Sequence, residues 1–228
     1  RGGGGRQATQ HPQPQAAPLV GVLALQGDFA DHQAALAACG LRTRQIRNAS
    51  GLRGIDALVL PGGESTTMLK LLQAEGLWEP LGAALKRSMP VLATCAGLIL
   101  LAQHVEDPSE DRAGRIKGSQ KSYGILPVSV VRNGYGRQLH SGTFELVSET
   151  LPAGIKGTFI RAPRITAVHG PCDVVARRGG DPVLIQCGAV LAACFHPELT
   201  VGHPVTARFA EMVRAHVARR GGDEAEAV

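Results

Sequence analysis

The chain contains 228 residues, of which 44% are hydrophobic and 19% are charged, a balance typical of a single globular domain with a sizeable core. The formal net charge is +5, but the arginines are scattered and only 4% of the residues are aromatic, which argues against a nucleic-acid partner. No apolar run approaches the roughly 20 residues that cross a bilayer. Since the first residues also lack the apolar core of a signal peptide, we expect a cytoplasmic protein with no membrane contact.

Strand-like and helix-like segments alternate through the first half of the chain. Residues 1–18 are rich in Gly, Gln and Pro and are predicted to be a disordered leader. After them we predict strands at 19–25, 41–46, 56–63 and 89–95, and helices at 28–40, 65–76, 78–88 and 96–104. This alternation predicts an α/β fold, a mostly parallel sheet with helices on both faces.

The second half is rich in strands. Hairpin-linked strands are predicted within 123–133, 143–147, 156–163, 172–178 and 182–198, followed by a closing helix at 205–220. We interpret them as an antiparallel extension of the same domain, which would span residues 19–220. The polar, aperiodic stretch 106–122 is predicted to be a surface loop, and residues 221–228 a flexible tail.

The cysteines do not form a recognisable set. Their number is odd, and no two of them have the spacing of a metal-binding pair. We therefore expect neither a disulfide framework nor a zinc site. The five are Cys39, Cys95, Cys172, Cys187 and Cys194.

Ligands in open α/β sheets bind at the carboxyl ends of strands. Two of the predicted strands end in residues that could bind a ligand or take part in a reaction. One strand ends in Pro61-Gly62-Gly63 before Glu64 and Ser65. Missing side chains there would let backbone N–H groups approach a ligand, although an ordinary turn with Ser65 as the helix cap would have the same sequence. Another strand ends at Cys95, either a buried small hydrophobic residue or a nucleophile at a sharp strand-to-helix turn.

A third strand ends in His196-Pro197-Glu198. In extended backbone the imidazole and the carboxylate project from the same face. A carboxylate beside an imidazole can fix its tautomer, which leaves the other ring nitrogen to take a proton from a thiol. Only the fold could bring this pair to Cys95.

Together these stretches resemble a known family. LALQGD, LPGGESTTM, TCAGLILLA, VRNGYGRQ, FIRAP and FHPELT, between about Leu19 and Val217, are similar to the glutaminase subunits of pyridoxal 5′-phosphate synthase, which are class I glutamine amidotransferases. The resemblance implies a three-layer, flavodoxin-like α/β domain. It also implies hydrolysis of L-glutamine to glutamate and ammonia, delivery of the ammonia to a barrel-shaped synthase subunit, and no cofactor or metal.

The resemblance also implies residue roles. Cys95 would be the nucleophile, His196 the general base and then acid, and Glu198 the group that orients His196. Oxyanion donors would be the N–H groups of Gly63 and Ala96. The residues that would bind glutamine are Gly63, Glu64, Ser65, Arg132, Ile160 and Arg161.

Three features depart from the family pattern, and alternatives stay open. Ala93 stands where the family usually has glycine, His140 stands where an aspartate is expected, and the stretch 106–122 is longer than expected. The alternatives are an ammonia donor for another synthase, such as the imidazole glycerol phosphate type, a regulatory module without catalysis, and a peptidase or chaperone with a similar cysteine turn.

Overall fold

The computed structural model describes residues 16–136 and 141–226, with side chains up to Asp223. His140 and most of the predicted leader, residues 1–15, lie outside the described residues. The carbonyls of Ala17 and Pro18 accept hydrogen bonds from Arg42, so the packed structure begins slightly before the predicted domain start.

The secondary structure follows the predicted alternation in the first half. The strands are β1 (Leu19–Leu23), β2 (Arg42–Ile46), β3 (Ala57–Leu60), β4 (Val91–Thr94), β5 (Ala102–Glu110), β6 (Ile116–Ser119), β7 (Leu126–Val131), β8 (Ser141–Glu145), β9 (Lys156–Ile160), β10 (Arg164–Val168), β11 (Asp173–Arg178), β12 (Asp181–Cys187) and β13 (Val190–Ala193). The α-helices are α1 (Phe29–Ala38), α2 (Ser65–Ala74), α3 (Trp78–Leu85), α4 (Ala96–Leu101) and α5 (Pro204–Glu226), with 3-10 turns at Ala49–Leu52 and Pro197–Leu199.

The central sheet has the order β11-β12-β13-β4-β3-β1-β2. The five strands from β13 to the edge strand β2 are parallel, while β12 and β11 join them in antiparallel fashion at the other edge. This arrangement confirms the predicted mostly parallel sheet with an antiparallel extension. β3 and β4 are buried along their whole length, as expected for strands covered on both faces.

The helices form two groups, one for each face of the central sheet. α1 contacts α5, and α2 contacts α3 and α4. The chain moves from β1 to β2 in one direction and from β3 to β4 in the other. Because crossovers are right-handed, the reversal puts their helices on opposite faces and opens a crevice at the carboxyl ends of β1 and β3.

The remaining strands form two smaller sheets. One has the order β10-β7-β5-β6, and the other is the β8-β9 hairpin. The prediction of a surface loop at 106–122 is wrong, since β5 and β6 form an antiparallel hairpin there. Asp107 hides the strand pattern because a carboxylate occupies a buried position of β5. The predicted helix 96–104 ends early, at Leu101, because the backbone becomes extended at Ala102, where β5 begins. β10 is not among the strands predicted from the sequence.

Two further expectations are corrected. Cys172 and Cys187 form a disulfide, although the cysteine pattern had predicted none; antiparallel pairing of β11 with β12 brings them side by side. α5 extends to Glu226, beyond the predicted helix end at residue 220, despite the low helix propensity of Gly221 and Gly222; a flexible tail at 221–228 stays a prediction. In the part of the chain that the structure describes, no helix is both long enough and apolar enough to span a membrane.

Candidate active site

The three predicted catalytic side chains meet at the carboxyl edge of the central sheet. Cys95 follows β4, and His196 and Glu198 follow β13, which pairs with β4 in parallel. Cys95 and His196 line the same cavity and interact electrostatically, and His196 Nδ1 lies 2.7 Å from Glu198 Oε1. Strand pairing therefore closes the long separation in sequence and leaves the other imidazole nitrogen for the thiol.

The turn at Cys95 is sharp. Cys95 has φ 48° and ψ −104°, a conformation that costs a non-glycine residue about 1–3 kcal/mol. It is held by hydrogen bonds from Cys95 N to the Ala193 carbonyl (2.9 Å) and from Ile99 N to the Cys95 carbonyl (3.1 Å). A Cβ on Gly97 would overlap the Leu60 carbonyl, so glycine lets α4 start against β3. This is the geometry of a nucleophile elbow.

The electrostatics favour a charged imidazole. Burial by itself lowers the pKa of His196, but the contacts with Asp28, Cys95 and Glu198 outweigh burial and raise that pKa to about 12. The Asp28 Oδ2 atom lies 3.1 Å from His196 Nδ1. His196 is thus an imidazolium at neutral pH, the form that can donate a proton to a leaving group.

A buried histidine, His32, lies next to Glu198. His32 Nε2 lies 3.4 Å from Glu198 Oε2 and 3.1 Å from Thr94 Oγ1. Burial lowers the pKa of His32, although the Glu198 charge opposes this. His32 is therefore neutral at neutral pH and lies close to Glu198 Oε2, a buried oxygen that accepts no hydrogen bond within the described residues.

A cavity of about 510 Å³ opens in front of Cys95 and His196. Every residue predicted to bind glutamine lines it: Gly63, Glu64, Ser65, Arg132, Ile160 and Arg161. Ala96, the second predicted oxyanion donor, is fully buried beside Cys95, and Glu198 is buried behind His196. The cavity is large enough for a free amino acid, and its lining carries both positive and negative groups.

The glycine turn after β3 has a packing role that its sequence did not reveal. A Cβ on Gly62 would overlap the His196 ring and lie 2.9 Å from Asp28 Oδ2. Gly63 has φ 136°, and Gln26 Oε1 accepts a hydrogen bond from the next backbone N–H, that of Glu64 (3.0 Å). Gly62 thus leaves room for the imidazole, while Gln26 restrains the turn.

Glu64, not Ser65, caps α2. Its carboxylate accepts hydrogen bonds from the N–H groups of Thr66 (3.1 Å) and Thr67 (2.7 Å). Burial raises the pKa of Glu64, but these bonds and the Arg132 charge lower it overall. Arg132 contacts Glu64 at 2.7 Å and Asp107 at 2.6 Å. Any substrate carboxylate at Arg132 would therefore meet a guanidinium that two carboxylates already neutralise.

Several cavity residues were missed from the sequence. Asp28 and Gln26 follow β1, a strand end with the same signal as the others. Ser109 and Lys117 come from the hairpin that had been predicted as a loop, and their sequence carries no local sign of the role. The missed lining residues are Gln26, Asp28, Thr66, Ile99, Ser109, Lys117 and Asn133.

One group of side chains has the spacing to hold a metal ion among the residues described. Ligand atoms of Asp28, His196 and Glu198 lie within 4.8 Å of one another. The His196 Nδ1 atom that would bind a metal is already hydrogen-bonded to Glu198. Their mutual contacts thus account for the cluster as a hydrogen-bonded acid–base group.

Comparison with known proteins identifies the family. Residues 22–215 match the SNO glutamine amidotransferase family. The chain belongs to this family. Members similar to it are the pyridoxal 5′-phosphate synthase subunits PdxT of Streptomyces avermitilis, 43% identical over 202 residues (87% of this chain and 96% of the relative), and of Bacillus pumilus, 40% identical over 197 residues (86% and 95%).

Solved structures support the predicted fold class. A crystal structure of a glutamine amidotransferase matches this SNO family chain with a TM-score of 0.74 and 38% identity, covering 85% of this chain and 98% of the other. A Thermoplasma acidophilum protein described as a GMP synthase subunit matches with a TM-score of 0.67 over 92% and 100% of the two chains. Because the second match is only 16% identical, it supports the fold and says nothing about function. The glutamine amidotransferase fold is thereby confirmed.

Proposed function

We propose that this chain is the glutaminase subunit of pyridoxal 5′-phosphate synthase, which hydrolyses L-glutamine and passes the ammonia to a synthase subunit. The observation that carries the proposal is that Cys95 and His196 line one cavity, with Glu198 hydrogen-bonded to His196 from behind (2.7 Å). The relatives named above support this synthase over the imidazole glycerol phosphate type. A cytoplasmic location, the absence of a cofactor and the absence of a nucleic-acid partner belong to the same proposal.

The first half-reaction forms a thioester. Cys95 Sγ attacks the side-chain amide carbon of glutamine, and the developing oxyanion is stabilised by the N–H groups of Gly63 and Ala96. His196 then donates its proton to the amide nitrogen as the C–N bond breaks. Ammonia leaves, and a γ-glutamyl thioester remains on Cys95.

The second half-reaction restores the thiol. His196 is neutral after donating its proton to the departing ammonia, and it now takes a proton from water. The resulting hydroxide attacks the thioester carbon, the C–S bond breaks, and His196 returns the proton to the departing sulfur. Glutamate leaves, while Glu198 keeps the imidazole oriented throughout.

Glutamine is held at its amino-acid end by charges around the cavity. Glu64 faces the α-ammonium group, and the positive groups Arg132 and Arg161 face the α-carboxylate. Ser65 and the backbone at Ile160 complete the contacts. Because Arg132 is already shared by two carboxylates, Arg161 contributes more of the attraction for the substrate carboxylate.

Ammonia release from glutamine, measured in the presence of the synthase subunit, tests the proposal. Cys95→Ala is expected to lower the rate by at least about 10³-fold, while the matched variant Cys39→Ala, at a half-buried free thiol away from the cavity lining, keeps it. A glutamine-like diazo ketone should label Cys95 alone. Labelling spread over Cys39 and Cys194, or activity that survives in Cys95→Ala, would contradict the proposal.

A further inference from the structure

His196 has two carboxylate partners on the same ring nitrogen. Glu198 Oε1 lies 2.7 Å from Nδ1 and Asp28 Oδ2 lies 3.1 Å from it. The two differ in environment, since the Glu198 side chain is 0% exposed and that of Asp28 is 33% exposed. Asp28 lines the cavity. Its carboxylate thus contacts the imidazole from the substrate side, opposite the buried support of Glu198.

Asp28 stands at a position where aspartate usually has a structural role. It is the residue before α1, where a side chain commonly accepts a hydrogen bond from the first turn of the helix, but it makes no such capping bond. Its backbone holds it in place instead: Asp28 N donates to the Gly62 carbonyl (3.4 Å), and the Asp28 carbonyl accepts from His32 N (3.2 Å). The carboxylate is therefore directed at His196 and leaves the helix uncapped.

The charges around His196 show what Asp28 contributes. Among the residues described, four titratable groups surround the imidazole. Asp28 and His32 come from the α1 side, with His32 behind Glu198; Cys95 lies at the end of β4, and Glu198 follows β13. The hydrogen bond with His196 lowers the pKa of Asp28, so Asp28 is ionised at neutral pH. Among the contacts that raise the pKa of His196, that with Asp28 is the largest.

We propose that Asp28 is a positioning residue for glutamine hydrolysis, which together with Glu198 holds the His196 imidazole toward Cys95 and stabilises its positive charge. The inference rests on the proposed function. Because Asp28 lines the cavity, bound glutamine displaces water from it and lowers the local dielectric, which strengthens its attraction to His196. Substrate binding thereby tightens the acid–base pair at the moment when it is used.

Three variants separate the charge of Asp28 from its shape. Asp28→Asn keeps the size and removes the charge, Asp28→Ala removes both, and Asp28→Glu keeps the charge. Asp56→Asn is the matched control, since Asp56 is a partly exposed carboxylate whose ion pair, with Arg220, has the same 3.1 Å length. Circular dichroism establishes that each variant is folded.

Two measurements are made on each variant. With the synthase subunit present, Asp28→Asn should lower kcat about tenfold with KM within about twofold, as expected when a residue that positions the acid–base group, and does not bind the substrate, is changed. In the chain alone, ¹⁵N-histidine NMR should show His196 losing its proton about one pH unit lower in Asp28→Asn, since a charge partner has been removed. Asp28→Glu should restore the wild-type titration within about half a unit, and Asp56→Asn should leave both readouts unchanged.

Two results would overturn the inference. A raised KM with unchanged kcat would make Asp28 a substrate-binding residue, and an unchanged His196 titration in both Asp28→Asn and Asp28→Ala would show that its carboxylate does not act on the imidazole. Failure of the proposed function is distinguishable, because it would appear as no ammonia release by the wild-type complex. The NMR titration requires no activity and would still decide whether Asp28 controls His196.

Discussion

The two walls of the cavity are built in different ways. The sheet wall consists of residues 61–65, Cys95 and His196, which follow buried strands of the central sheet. The hairpin wall consists of Ser109 and Lys117, which line the cavity, of Asp107, which pairs with Arg132, and of Gln120, which contacts Ser65 of the sheet wall. The sheet wall relies on backbone hydrogen bonds and on glycines that allow close packing, whereas the hairpin wall relies on side-chain charge and hydrogen-bond pairs.

The difference has a physical consequence. On the sheet wall a backbone displacement of a few tenths of an ångström moves Cys95 or His196 directly, because the backbone of Gly62 and Gly97 is already packed too closely against its neighbours to hold a side chain. On the hairpin wall Gln120 accepts hydrogen bonds from Ser65 Oγ (3.1 Å) and Thr66 Oγ1 (3.3 Å), and Ser65 is one of the residues that we propose bind glutamine. Changes in the sheet wall should therefore lower kcat, and changes in the hairpin wall should raise KM.

The largest effect is expected for Gly62→Ala. The new Cβ would overlap the His196 ring and approach Asp28, so the imidazole must move away from Cys95. We expect kcat to fall about 100-fold and the free energy of unfolding to fall by about 1–3 kcal/mol. Steady-state ammonia release and denaturant unfolding measure the two. Gly180→Ala, where an added Cβ meets nothing within 4 Å, is the control, and a similar loss in that variant would show that the comparison is wrong.

The second prediction concerns the hairpin wall. Asp107→Asn removes one of the two charges that hold Arg132, and the Asp107 side chain is only 4% exposed. Because a buried guanidinium loses a charged partner, the free energy of unfolding should fall by about 1–3 kcal/mol. Arg132 should then shift toward Glu64, which raises KM for glutamine about tenfold with kcat within about threefold. A drop in kcat with unchanged KM would place Asp107 with the sheet wall instead.

The same pair has a defined pH dependence. Burial raises the pKa of Asp107, but the hydrogen bonds from Ser109 and the Arg132 charge lower it below its usual value overall. A carboxyl group with a lowered folded pKa stabilises the protein above its unfolded pKa, about 3.9, and this contribution is lost as the pH falls through the folded value. The stability difference between wild type and Asp107→Asn should thus be full at pH 7 and shrink below about pH 4.

Urea unfolding between pH 7 and pH 3 measures this difference. Asp181→Asn, which breaks an ion pair with the half-exposed Arg164, should change stability by no more than about 0.5 kcal/mol at any pH. If the Asp107→Asn difference instead grew as the pH fell, the sign of the assigned pKa shift would be wrong.

The two walls also differ in how far the sequence predicts them. Cys95, His196 and the glycine turn after β3 could be predicted because each follows a short apolar strand, and a local pattern marks a strand end. The hairpin wall could not, since Asp107 is buried only because Arg132, 25 residues away, neutralises it. Asp28 was overlooked for a related reason, because an aspartate before a helix is explained by capping until its contact with His196 is known. The Cys172–Cys187 disulfide likewise depends on the register of β11 with β12.

The smallest effect is expected for Lys117→Met. Lys117 lies on β6, is exposed and lines the cavity. In the proposed binding mode its charge attracts the α-carboxylate of glutamine across solvent, and ions in that solvent screen the attraction. We expect KM to rise about threefold, kcat to stay within about 1.5-fold, and the free energy of unfolding to change by less than about 0.5 kcal/mol. Lys70→Met, on the exposed side of α2, removes the same charge away from the cavity lining and is the control. Since screening weakens long-range attraction, the threefold ratio should approach one in 0.5 M salt; a ratio that persists there would mean that Lys117 contacts the substrate directly.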